Sequence, residues 1–212
     1  GWTADLLEPD PAAHAVLQRE MSRWPQQARL HALAVSNSGS DTVSFQQAGT
    51  HGLSGLGESP FAATAATLSV ANTTLQRFCL QQGIARLDLL KIDAEGFDFD
   101  VLQTHDFEAI QPRLVLVEYG THFARQTQEV INSELLRMAD HGYAAVIFNC
   151  TQDGDFARGQ WIYRTTHIII DAPLPALDVA AFGNIIFYRR DDAAFPGTLR
   201  ALLADCAAQV LP

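Results

Sequence analysis

Asp93 and Glu95 stand two positions apart, at the point where the apolar run Leu87-Asp88-Leu89-Leu90-Lys91-Ile92 stops, and Gly96 follows them. Paired carboxylates at such a point suit three kinds of work. One of them takes the proton of an attacking hydroxyl as a general base. The two together hold a magnesium ion that lowers that hydroxyl's pKa. Or both merely favour the N-terminus of the helix that follows. Two more acids close apolar segments in the same manner, Glu8 after Leu6-Leu7 and Glu118 after Val115-Leu116-Val117. Ligands of open α/β sheets bind at the carboxyl ends of strands. Three acid-ended strands at one sheet edge predict a polar cleft that tolerates cations.

The elements that must hold these acids follow from periodicity and punctuation. Thr3 to Glu8 reads as a strand, with Asp10 as N-cap and Pro11 opening a helix. Leu30 to Ser36 is the next strand, and Asn37-Ser38-Gly39-Ser40 turns into the alternating Thr42 to Phe45. Leu68 to Ala71 is extended, and Asn72-Thr73-Thr74 caps a helix through Gln82 that Gly83 stops. Leu87 to Ile92 reads as a buried parallel strand in which Lys91 pairs with an acid. Phe97, Val101 and Leu102 give the inward stripe of a short helix. Leu114 to Glu118 and Tyr143 to Phe148 are strands on either side of a helix over Glu129 to His141. Asn149 to Ile162 is a polar insert in which Asp153-Gly154-Asp155 makes a turn, and Tyr163 to Asp171 is a strand or an arm. Asn184 to Arg189 is a strand, and Gly197 to Val210 is a helix with Leu199, Leu202, Leu203 and Cys206 inward.

Composition narrows the partners. A chain of 212 residues, 48% apolar, fits one α/β domain with a full core. With 24 acidic against 14 basic side chains its net charge of -10 opposes binding to nucleic acid or to an anionic membrane surface. The same charge suits a cationic ligand. Cys79, Cys150 and Cys206 are widely spaced and lack metal-ligand spacing, so they read as reduced thiols. With no membrane-length apolar run and no signal-like segment, the expected location is the cytoplasm. The sequence carries no signal for an oligomeric state.

Five words, in order along the chain, resemble the FkbM family of methyltransferases, a Rossmann-like branch of the S-adenosylmethionine-dependent enzymes. They are Leu6-Leu7-Glu8-Pro9-Asp10-Pro11, Ala32-Leu33-Ala34-Val35-Ser36, Asp88-Leu89-Leu90-Lys91-Ile92-Asp93-Ala94-Glu95-Gly96, Leu116-Val117-Glu118 and Gly183-Asn184-Ile185-Ile186-Phe187. The third is the specific one. The resemblance implies a class I methyltransferase sheet, mostly parallel, with an antiparallel last strand pairing with Tyr143 to Phe148 at the sheet's end. It also implies a strand, a glycine-rich turn and a helix ahead of Glu8. None precedes it here, so the chain is expected to be a single methyltransferase-like domain over 1–212, truncated at its N-terminus, that binds cofactor poorly by itself.

The same resemblance assigns roles. Glu8 accepts the ribose hydroxyls of S-adenosylmethionine, since one carboxylate takes two hydrogen bonds. Ala34 and Val35 lie against adenine, unless they are plain packed strand. Asp93 stands nearest the methyl and serves as base, and Glu95 shares that work, orients Asp93 or binds the acceptor. Glu118 and Tyr119 contact the acceptor or merely cap and pack. Ala48 to Thr67 is a solvated loop or an acceptor-binding lid, with His51 as its one group that titrates near neutrality. No metal ligand set is assigned, and magnesium is the less favoured option. The implied reaction is O-methylation of a hydroxyl on a glycan or a small natural product. The rivals are a nicotinamide-dependent oxidoreductase, because an acid after the second strand serves an NAD ribose equally well, and a non-catalytic Rossmann-like domain.

Overall fold

The computed structural model describes residues 1–47, 54–56, 66–120, 123, 125–155, 160–170 and 182–210. Among them the chain forms two units, Gly1–Ala85 with Asp93–Asp106, and Arg86–Ile92 with Phe107–Pro212. The architecture is mixed α/β. No helix among the described residues is long and apolar enough to cross a membrane.

In the first unit β1 (Ala4–Leu7) runs into α1 (Pro11–Met21), whose N-cap Asp10 accepts from the amide of Ala12, and then into β2 (Ala28–His31), parallel to β1. The expected strand over Leu30 to Ser36 is two strands. The amide of Leu33 turns back to His31 O at 3.0 Å, which ends the β1 ladder. β3 (Ala34–Val35) then joins a different sheet, with order β3-β5-β4 from β4 (Thr42–Gln47) and β5 (Ala66–Thr73). Ala34, Phe45 and Val70 are its core, with Leu56 packed against them. α2 (Leu75–Gln82) begins where Thr74 accepts from the amide of Arg77 and stops at Gly83, whose φ of 65° suits a residue without Cβ. α3 (Asp98–Leu102) buries Phe99, Val101 and Leu102. Just beyond it, Thr104 accepts the amides of Leu75 and Gln76, tying α3 to the start of α2.

In the second unit β6 (Leu89–Ile92), β7 (Leu114–Gly120), β8 (Tyr143–Asp155), β9 (Gln160–Ile170) and β10 (Phe182–Arg189) form one sheet of order β6-β7-β10-β8-β9. α4 (Gln128–Asp140) precedes β8, and α5 (Phe195–Val210) follows β10. β10 pairs antiparallel with β8 as expected, yet it lies inside the sheet, between β7 and β8. The polar stretch after Phe148 continues β8 instead of forming an insert. Asp153, Gly154 and Asp155 pair with Ile162, Trp161 and Gln160 of β9, a partner that satisfies their backbone groups whatever their side chains.

Three expectations about the sheet therefore change. β1–β2, β3–β5 and β6–β7 are parallel while the four other pairings are antiparallel, so the described strands are not mostly parallel. Among the described residues β6 pairs with β7 alone, which leaves Leu89 54% exposed and Lys91 outside instead of buried. β1 and β7 belong to separate sheets, so Glu8 and Glu118 do not end strands of one sheet edge. In α5, Leu199 and Leu203 share an i,i+4 face against Tyr188 and Val146, whereas Leu202 falls outside it and is exposed.

Candidate active site

The acidic turn after β6 is built by a residue the sequence reading did not single out as a site residue. Asp98 is 0% exposed, and its Oδ1 accepts from the amide of Ala94 at 3.0 Å while its Oδ2 accepts from that of Gly96 at 3.1 Å. One carboxylate thus spans the turn that Glu95 crests. Glu95 has φ 49° and Gly96 φ 93°. The left-handed region disfavours a side chain with Cβ, at a cost on the order of 1–3 kcal/mol, so the surrounding contacts must impose it on Glu95.

The Glu95 carboxyl is half-buried and takes no hydrogen bond among the described residues. Burial, then the charges of Asp93 and Asp98, pushes its pKa up to about 7. It therefore exchanges its proton near neutrality, as a general base or acid requires. Asp93 is exposed beside it. Among the described residues no group of three or more His, Cys, Asp or Glu side chains is placed to hold a metal ion.

Glu8 follows β1. Its Oε1 accepts from the amide of Asp10 at 2.7 Å, and its Oε2 has no hydrogen-bond partner among the described residues. Burial pushes its pKa up, against the pull of the Asp10 N–H. Asp10 does more than cap α1. It accepts from Ala12 N at 2.8 Å, from Gln47 Nε2 at 2.7 Å and from Ser54 Oγ at 2.8 Å. Burial alone would raise its pKa; the bonds from Gln47, Ala12, Ser54 and Ala13 outweigh it and hold the carboxyl below its usual range. Ser54 is followed by Gly55, which exchanges both backbone hydrogen bonds with Gln46 of β4 at 2.8 and 3.0 Å. A Cβ on Gly55 would lie 4.0 Å from that of Glu95. The Ser54–Gly55 step thus runs from the Asp10 carboxylate to the neighbourhood of the Glu95 turn within one unit.

Val35 is half-buried, and Ala34 is a core residue, 2% exposed, so its side chain packs against Phe45 and Val70. Glu118 lies within β7, opposite Asn184 of β10, two residues before the strand's end. Tyr119 is fully buried and donates its hydroxyl to Asn149; burial raises its pKa. His51 lies outside the described residues. Asp10, Gln47, Ser54 and Asp98 were missed as site residues. Only Asp98 had a local signal, an acid two residues after the turn glycine; the others meet through the fold.

The model of the methyltransferase FkbM domain matches residues 1–145. The chain belongs to the FkbM methyltransferase family. The match takes in both acidic clusters of the FkbM domain, from Glu8 and Asp10 through Asp93, Glu95 and Asp98 to the first residues of β8. No curated protein and no solved structure matches the chain.

Proposed function

We propose that the protein is an S-adenosylmethionine-dependent O-methyltransferase of Rossmann-like fold that acts in the cytoplasm on a hydroxyl of a glycan or small natural product. The observation that carries this reading is the Glu95 carboxyl, pushed up to about 7 and free of hydrogen bonds among the described residues, at the carboxyl end of a parallel strand. The residues present fit the cofactor. Glu8 Oε2 is open to a ribose hydroxyl, and the charges of Asp93 and Asp98 that disfavour ionisation of Glu95 favour a cation beside them. When bound, S-adenosylmethionine supplies an electrophilic methyl group.

Glu8 would hold the ribose, and the backbone of Ala34 and Val35 would lie toward the base. Glu95 would take the acceptor hydroxyl's proton, with the bound cofactor giving up its methyl to that oxygen and leaving as a neutral thioether, and the charge of Asp93 would keep Glu95 basic enough to do so. His51 and Glu118 remain the proposed acceptor contacts, while Tyr119, fully buried with its hydroxyl on Asn149, packs. The acceptor is neutral or cationic, because an anionic group would meet like charge. The test is transfer of tritiated methyl from S-adenosylmethionine to a panel of polyols and oligosaccharides by the full-length protein. Alkali-stable label is expected, falling about a hundredfold or more in Glu95→Gln. No label, or alkali-labile methyl ester, would overturn the reading.

A further inference from the structure

The turn that carries Glu95 is held from one side chain, and that side chain is neither exposed nor a contact of any ligand proposed above. Asp98 is 0% exposed, and its two oxygens take the amides of Ala94 and Gly96, the residues on either side of Glu95. Its own amide is a third donor to the same carboxyl. Glu95, between the two tethered amides, sits at φ 49°, a conformation a free turn would leave. We propose that Asp98 is a positioning residue for Glu95: its carboxylate clamps the Ala94–Gly96 turn and so holds the Glu95 carboxyl where it takes the acceptor's proton.

The inference rests on the methyltransferase reading for what the proton transfer serves, and on the clamp geometry alone for how Glu95 is placed. The charged groups that reach Glu95 are Asp93, two residues before it, and Asp98, three residues after it. From the Ser54–Leu56 segment Gly55, which brings no side chain, is near: a Cβ there would lie 4.0 Å from that of Glu95. Burial pushes both Glu95 and Asp98 up, and three N–H groups oppose that rise at Asp98 while none does at Glu95.

The test is a carboxyl-carbon NMR titration of the full-length protein, with neither cofactor nor acceptor, comparing wild type with Asp98→Asn. Asparagine keeps one acceptor oxygen for the turn and removes the charge. The Glu95 signal is expected to titrate near pH 7 in wild type and about one unit lower in the variant. Loss of the Asp98 charge lowers the Glu95 titration by itself, so the clamp is read from the Ala94 and Gly96 amides: hydrogen-exchange protection of at least one is expected to fall in the variant, and protection unchanged at both overturns the proposal. If the variant does not fold, the wild-type spectrum decides. The Glu95 carbon and the Ala94 and Gly96 amides should all follow the titration step of the Asp98 carboxyl carbon, and a Glu95 signal blind to that step overturns the proposal. Because no ligand enters the measurement, its failure is distinct from failure to transfer methyl.

Discussion

Ser54 donates to the buried carboxylate of Asp10 at 2.8 Å across 44 positions of sequence, and a Cβ on the residue after it, Gly55, would lie 4.0 Å from that of Glu95. The hydrogen bond thus brings the Ser54–Gly55 step near the acidic turn, which has its own support in Asp98. Each support can be removed separately.

Asp10→Ala deletes a helix cap and leaves Gln47 and Ser54 without their acceptor. Capping contributes on the order of 1 kcal/mol and each of the two half-buried hydrogen bonds about 0.5–1.5, so a loss of about 2–4 kcal/mol is expected in urea unfolding. Ser54→Ala should cost about 1 kcal/mol. Equal small losses from both would show that Asp10 is only a cap. Because the Asp10 pKa is held down in the fold, its contribution is present above its unfolded value of 3.8 and is lost as pH falls through the lower folded one.

Glu95 has the opposite sign. Its folded pKa of about 7 lies above the unfolded 4.5, so between those values the folded chain keeps a proton the unfolded chain has released. Stability must then fall as pH rises through that window and level off above it. Discounted for solvent screening of a half-exposed group, the effect is about 1–2 kcal/mol. Glu95→Gln is expected to stabilise the protein by that amount near about pH 8 and hardly at all near about pH 4. A difference that does not change with pH would place the carboxyl in its ordinary range.

Gly183 of β10 has no room for a side chain. A Cβ there would lie 1.8 Å from Phe148 O and 3.1 Å from the Tyr119 hydroxyl. A backbone atom cannot yield as a side chain can, so Gly183→Ala should destabilise by about 3 kcal/mol or more. Retention of wild-type melting temperature would mean that β10 does not run between β7 and β8 in the register found.

Features written in local sequence were legible: the Asp10-Pro11 start, the Thr74 cap and Gly83 stop, and the Asp93-Ala94-Glu95-Gly96 turn were each read from neighbouring residues. What depended on a distant partner was not. The break at Leu33 comes from β3 leaving one sheet for another, and β8 continues through Asp153 because β9 lies beside it. The site divided the same way. Glu8 and Glu95 were chosen from strand ends, whereas Ser54 and Gln47 reach Asp10 only once the β4–β5 arm has folded, and no spacing announces it.

The most direct test is calorimetric titration of S-adenosylmethionine into the full-length protein and its Glu8→Gln variant, with NAD as the competing ligand. Glutamine keeps an oxygen for the Asp10 amide and replaces the open one by a donor. The expected result is binding of S-adenosylmethionine by wild type, about tenfold to a hundredfold weaker binding by Glu8→Gln, and no comparable heat from NAD. Equal affinity in the two proteins, or tighter binding of NAD, would contradict it.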